Sequence, residues 1–207
     1  MIKNVIFDWS GVIKDAVEDH VWVVNKMFQN LGGKEMKLEE MRQNWEQPYI
    51  KFWNKYYPEM TLEQEQKAYR EAILSKDCPI AKDYPGMVDL IKKIKENNHY
   101  IAVISSDLSD TILPEIKNFG LENIFNDIVI GVHDKTEGLQ NIIKNNNFKK
   151  EETVFIGDTN HEIEVGKQAG IKTIAVTWGF YSENRLKTLN PDYLVHNIEE
   201  LEKILLS

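Results

Sequence analysis

The stretch that most constrains this chain is Val5-Ile6-Phe7-Asp8-Trp9-Ser10-Gly11-Val12. An apolar, β-branched run stops abruptly at an aspartate, and a small hydroxyl residue and a glycine follow. That order predicts a buried strand with an acid at its C-terminal tip and a tight turn behind it. In open α/β sheets ligands bind at the C-terminal strand ends, so Asp8 stands where chemistry is expected. Three later stretches, at Ser105, at Lys135 and at Gly157-Asp158, fall at or just beyond predicted strand ends and are expected to converge on it.

From Tyr84 onward strands and helices alternate. Helices are predicted over 87–96, 109–119, 137–146, 161–169 and 198–205, with Ser109 as an N-cap, and Lys135 just ahead of its helix. Strands are predicted over 100–104, 127–130, 153–156, 173–176 and 193–195. This rhythm implies an α/β fold, a Rossmann-like doubly wound parallel sheet with right-handed crossovers and helices on both faces. Residues 15–82 interrupt it. Apolar spacing and the stops Gly32-Gly33, Pro48 and Pro58 divide that block into helices over 15–31, 38–45, 49–57 and 61–75, the last opened by the capping box Thr61-Leu62-Glu63-Gln64, with no strand among them. The expected organisation is a core of residues 1–14 and 83–207 with a helical domain, 15–82, inserted after the first strand.

Composition narrows the function. The net charge is -8 and no basic stripe stands out, which argues against a nucleic-acid partner but leaves room for a local phosphate pocket. Among 207 residues there is one cysteine, Cys78, which excludes an intramolecular disulfide and a cysteine-cluster metal site. The sequence enters its first strand without a signal-type apolar segment, and no run nears the ~20 apolar residues of a membrane span. A cytoplasmic location and no membrane partner are the expectation.

The strand-end residues make a chemical set. Asp8 and Asp158 stand alike at two strand ends; if those strands are neighbours, the carboxylates repel unless a cation lies between them, and oxygen-only ligands favour magnesium. Glu162, one helical turn beyond Asp158, is placed to join that metal site by orienting a metal-bound water. Ser105, with Ser106 as a second member, offers hydroxyls to phosphate oxygens. Lys135 supplies a cation. These are the parts of magnesium-assisted phosphoryl transfer to an aspartate: Asp8 attacks phosphorus while Lys135 and magnesium neutralise developing charge. Each residue alone also has an ordinary reading, as helix cap, turn former or solvated charge.

In this set and order the chain resembles the haloacid dehalogenase superfamily. Its C-terminal half is most similar to phosphoglycolate-phosphatase-like hydrolases, through Val154-Phe155-Ile156-Gly157-Asp158-Thr159-Asn160-His161-Glu162-Ile163, Gln168-Ala169-Gly170-Ile171 and Val176-Thr177-Trp178-Gly179-Phe180. The resemblance makes residues 15–82 a type-one cap, Asp8 the nucleophile, Ser105 the phosphate-binding hydroxyl, Lys135 the charge-balancing lysine and Asp158 a magnesium ligand. Glu162 takes the place of the motif's last acid, and the Ser10 carbonyl that of a further metal ligand. It implies a small phosphorylated metabolite as substrate.

Ser10 is the departure. Phosphatases of this superfamily carry a second aspartate there as general acid and base, a role a serine hydroxyl cannot fill at neutral pH and whose loss costs roughly 10²–10⁴-fold. The leading expectation is therefore a magnesium-dependent phosphatase that is slow or of unusual substrate preference. One rival is a catalytically impaired phosphate-binding protein. Another is a C–P hydrolase, since phosphonoacetaldehyde hydrolases carry a similar Asp-Trp-Ala-Gly motif; it needs a nucleophilic lysine in the cap, for which Lys51 is the candidate. For the substrate-facing cap surface the candidates are His20, Trp22, Trp45, Trp53 and Tyr56, all of which also suit the cap's own core. His133 and His161 lie near the site in sequence. Oligomeric state is open.

Overall fold

The computed structural model describes all residues 1–207. Strand β1 (Asn4–Phe7) lies in the middle of a parallel six-stranded sheet. With β4 (Tyr100–Ile104), β5 (Asp127–Val129), β6 (Thr153–Gly157), β7 (Lys172–Val176) and β8 (Tyr193–Val195) the order is β5-β4-β1-β6-β7-β8. The chain builds outward from β1 through β4 to β5, then crosses back to build β6, β7 and β8 on the other side. β1 and β6 thus flank the point where the winding reverses, the place where an open α/β sheet leaves a crevice.

The near-continuous apolar strands are explained by burial on both faces. Val5 and Phe7 pack on one side with α5 (Met87–Glu96), α6 (Ser109–Asn118) and α10 (Ile198–Leu205). Ile6, between them in sequence, packs on the other side with α7 (Lys135–Asn145) and α8 (Asn160–Ala169). In α5 the residues Met87, Leu90, Ile91 and Ile94 are the buried ones, at the spacing one helix face requires. The doubly wound parallel sheet expected from the sequence is the fold observed.

Four helices, α1 (Val17–Asn30), α2 (Leu38–Asn44), α3 (Ile50–Asn54) and α4 (Leu62–Ile73), form the block after β1. Two short strands bracket it: β2 (Lys14–Asp15) pairs antiparallel with β3 (Lys82–Asp83), so the chain leaves and re-enters the core side by side. Burial in the block is dominated by aromatics, with Phe28, Trp45, Phe52 and Trp53 packed together. The insert is also tied to the sheet side. Trp45 stacks on Phe180 with centroids 4.7 Å apart. Arg185, in the short helix α9 (Glu183–Thr188), donates to the carbonyls of Arg42 at 2.6 Å and Trp45 at 2.8 Å and lies over the Tyr181 ring.

Several local expectations are corrected. Helix α9 has no counterpart among the predicted helices. Ser109 does not cap α6: the N-cap is Leu108, and no side chain satisfies that end. Lys135 is the first residue of α7 rather than a loop residue ahead of it; Asp134 is the N-cap and accepts from the Thr136 N–H at 2.8 Å. The segment 15–82 is not free of strand, since its two borders form the β2/β3 pair.

Because Arg185 satisfies two insert carbonyls and stacks on Tyr181, Arg185→Ala is expected to lower unfolding stability by about 1–3 kcal/mol. Urea denaturation checks the magnitude, and amide exchange should show faster opening around Arg42–Trp45 than elsewhere.

Candidate active site

Four strand ends deliver the site. Asp8 follows β1, Ser105 follows β4, Asp158 follows β6, and Lys135 opens the helix after β5. Because β1 and β6 pair in parallel with Phe7 opposite Ile156, the two acids leave the sheet side by side. Lys135 is buried and joins three elements: its Nζ lies 2.7 Å from Asp8 Oδ1 and 2.6 Å from Glu162 Oε1. Asp8 Oδ1 also accepts the Trp9 N–H at 2.7 Å, whereas its other oxygen, Oδ2, has no hydrogen bond.

Glycines let these groups approach. Gly11 has φ +84°, and a side chain there would run into the Asp158 carboxylate; one at Gly179 would strike the same carboxylate. Asp158 is not a helix cap. Thr159 is the N-cap of α8, in a capping box with Glu162. Both Glu162 oxygens are engaged: Oε1 by Lys135, Oε2 by the Thr159 hydroxyl at 2.7 Å and the Thr159 N–H at 3.2 Å. Asp158 Oδ2 accepts the Phe180 N–H at 2.7 Å, but Asp158 Oδ1 is buried without a partner.

The electrostatics follow from this placement. Burial, opposed by Lys135, raises the Asp8 carboxyl well above the ordinary range. Burial and the Glu162 charge push Asp158 up to about 7. Burial acts in the same sense on Glu162, but Lys135, His161 and Thr159 outweigh it and lower that group to about 2. Burial opposes the charge on Lys135, yet Asp8 and Glu162 hold its ammonium above the usual lysine range. Ligand oxygens of Asp8, Asp158 and Glu162 all lie within 4.8 Å of one another, so one lysine faces three carboxylates. The orphaned Asp158 Oδ1 and this oxygen-only donor set fit a hard divalent cation such as magnesium.

A single cavity joins these residues to the helical insert. Ser105 and Ser106 both line it. Ser105 Oγ accepts the Asp107 N–H at 3.1 Å, and the Ser106 hydroxyl is buried with no partner. His20, Trp45, Phe180 and His133 also line the cavity, but Trp22, Trp53 and Tyr56 do not. His161 Nε2 accepts the Lys135 backbone N–H at 3.1 Å, so this histidine supports the lysine's helix end. Lys51 is exposed and does not face the cavity.

Two buried residues without a role in the sequence reading also line the cavity. Asp107, 6% exposed, accepts a 2.6 Å hydrogen bond from the Ser10 hydroxyl. Its signal was its place two residues past the Ser105 strand end, in Ser105-Ser106-Asp107. Glu65, 3% exposed on α4, lines the cavity from the insert with no hydrogen bond or ion pair, and burial pushes it up to about 7. Nothing local in the sequence marks Glu65, which sits in a helix of many acids.

Comparison with known proteins accords with this geometry. Residues 5–176 match the family model described as haloacid dehalogenase-like hydrolase. The chain belongs to the haloacid dehalogenase-like hydrolases. It is similar to the pyrophosphatase PpaX of Halalkalibacterium halodurans, with 27% identity over 68% of this chain and 67% of that one. It is also similar to a phosphoglycolate phosphatase of Synechococcus elongatus, with 24% identity over 97% of this chain and 95% of its relative. Among solved structures, a predicted phosphatase from Clostridium acetobutylicum superposes with a TM-score of 0.86 at 22% identity, covering 100% of this chain and 99% of its own. That likeness concerns the fold. No helix in this family member is long and apolar enough to cross a membrane.

Glu65 gives this site a measurable signature. Its carboxyl is raised from 4.5 to about 7 on folding, so the buried group is neutral at low pH and must carry an uncompensated charge at high pH. Its penalty is absent below the unfolded value and complete above the folded one. Glu65→Gln is therefore expected to be neutral near pH 4.5 and stabilising by up to about 3 kcal/mol near pH 8, read from denaturation midpoints across that range.

Proposed function

We propose that this protein is a magnesium-dependent phosphatase of small phosphate monoesters, working through an aspartyl-phosphate on Asp8. The observation that carries the reading is the Asp8 carboxylate itself. One oxygen is pinned by Lys135 and the Trp9 N–H, and the other is left free in a cavity that also holds the Ser105 and Ser106 hydroxyls. A free carboxylate oxygen beside a fixed ammonium and two hydroxyls is an arrangement for attacking a phosphoryl group whose oxygens are held. Asp8, Asp158 and the Ser10 carbonyl would hold the magnesium ion, with Glu162 acting through water because its own oxygens are taken. When bound, the cation supplies charge neutralisation to the phosphoryl oxygens.

The free Asp8 oxygen attacks phosphorus, the bond from phosphorus to the ester oxygen breaks, and the leaving oxygen takes a proton. Water then adds to the aspartyl-phosphate, surrenders a proton, and releases inorganic phosphate and Asp8. Ser10 by itself cannot carry those protons, but its hydroxyl already shares a 2.6 Å hydrogen bond with Asp107. In this reading the pair does together what one aspartate at position 10 does in related phosphatases: Asp107 and Ser10 Oγ pass a proton toward the leaving oxygen and take one back from the water. The same hydrogen bond favours the catalytic reading over a purely phosphate-binding one. The exposed position of Lys51 leaves C–P cleavage without its lysine.

Release of phosphate from p-nitrophenyl phosphate should require magnesium, disappear with a chelator and fall at least about 10³-fold in Asp8→Asn, whose amide is no nucleophile. Absence of turnover, together with failure of beryllium fluoride to bind at Asp8 in wild type, overturns the reading.

Asp107→Asn should slow turnover by roughly 10²–10⁴-fold while still forming aspartyl-phosphate from an activated ester, visible as a burst of p-nitrophenol. Ser10→Asp alone sets two carboxylates against each other and is expected not to accelerate the reaction. Ser10→Asp combined with Asp107→Asn should recover much of what Asp107→Asn loses.

A further inference from the structure

The cavity is walled in part by the helical insert and carries an unusual charge balance. Its one lysine is Lys135, already shared between Asp8 and Glu162, and no arginine reaches it. His20 and His133 are the remaining groups able to carry positive charge, and His20 turns Nδ1 to the Ala16 carbonyl at 3.0 Å. Against this stands Glu65, buried, unpartnered and lining the cavity. Trp45, Tyr49, Tyr69 and Phe180 line the same space. Neither tyrosine hydroxyl pairs with Glu65, and that of Tyr49 rests on the Met27 sulfur at 3.8 Å.

We propose that this wall binds an ammonium group, so that the substrates are phosphate monoesters of amino alcohols, with Glu65 and the surrounding aromatic faces holding the cationic end of the leaving group. The inference rests on the phosphatase reading of Asp8 and names the substrate class for that site. A buried carboxylate with no partner is costly unless something else in the working state satisfies it. The carboxyl pushed up to about 7 is that cost made visible, and a bound cation would reverse it. Aromatic faces attract an ammonium through their quadrupoles, most strongly when it is desolvated. An anionic leaving group, a carboxylate or a second phosphate, would meet Glu65 with no free lysine or arginine to receive it, a built-in discrimination against such esters. Similarity to proteins named phosphoglycolate phosphatase or pyrophosphatase therefore does not carry over to the leaving group here.

The test is a substrate panel on the full chain with magnesium: the esters phosphoethanolamine, phosphocholine, glycerol 3-phosphate and phosphoglycolate and the anhydride pyrophosphate, with p-nitrophenyl phosphate as reference. The expected result is a kcat/KM for phosphoethanolamine or phosphocholine about tenfold or more above those for glycerol 3-phosphate and phosphoglycolate. Glu65→Gln should collapse that ratio, chiefly through KM, because the ammonium is held alike in ground and transition states. Preference for phosphoglycolate or pyrophosphate, or an unchanged ratio in Glu65→Gln, overturns the proposal while leaving the phosphatase reading intact. If no substrate is turned over and beryllium fluoride does not bind at Asp8, the phosphatase reading fails separately. Calorimetry of phosphoethanolamine and phosphoglycolate binding to wild type and Glu65→Gln then decides: tighter binding of the ammonium ester that depends on Glu65 sustains the proposal, and equal or reversed affinities end it. Should Glu65→Gln not fold, the order of preference in wild type decides alone.

Discussion

Everything at this site hangs on the buried ammonium of Lys135, held between Asp8 at 2.7 Å and Glu162 at 2.6 Å. Three carboxylates crowd within 4.8 Å at the C-terminal edge of a parallel sheet, and only one cation of the chain itself lies among them. Removing one partner of such a buried pair leaves an uncompensated charge, typically a loss of about 3–5 kcal/mol. The lysine can reach both acids because α7 starts at Lys135, with Asp134 capping it and His161 accepting its N–H. The helix end, the histidine and the second acid thus serve one purpose: they fix an ammonium beside Asp8 Oδ1.

A second buried cation supports the turn behind Asp8. Lys14 pairs with Asp19 at 2.8 Å and Glu115 at 3.0 Å, and Glu115 also receives the Trp9 indole N–H at 2.6 Å. Trp9 in turn stacks on Phe119 with centroids 5.6 Å apart. The loop that follows Asp8 is therefore clamped on both sides of Ser10, by Trp9 before it and Lys14 after it. Ser10 itself is tied to Asp107 on the neighbouring strand end. Rigid loops of this kind suit a site whose function depends on orientation, since small displacements of a reacting group cost large factors in rate.

The insert contributes the other half of the cavity. Its aromatic core continues into Phe180 and Tyr181 of the sheet domain, so the wall that carries Glu65 is packed against the edge that carries Asp158. Strand ends of the sheet place Asp8, Ser105 and Asp158 along one side of the cavity, with Lys135 at the helix start beyond β5, and the insert walls the space beside them.

The sequence by itself determined the sheet, its doubly wound order and the strand-end set Asp8, Ser105, Lys135 and Asp158, because each depends on a local pattern: an apolar run that stops at a polar residue before a turn or helix. It also exposed the anomaly at Ser10, which is visible in three adjacent letters. Tertiary structure alone decided what stands beside Ser10. Asp107 matters only because β4 lies beside β1 in register, Ala102 opposite Ile6 and Val103 opposite Phe7, bringing the residues beyond their ends together. Glu65 reads as one more surface acid in Leu62–Ile73 until the helix is seen to bury it over the site. Glu162 appears in sequence as a metal residue, and its engagement by Lys135 and Thr159 is a matter of three-dimensional hydrogen bonding. Patterns of period two and 3.6 are written in neighbouring residues, whereas the partner of a buried polar group is chosen by packing between segments far apart in the chain, and the chemistry of this site turns on those partners.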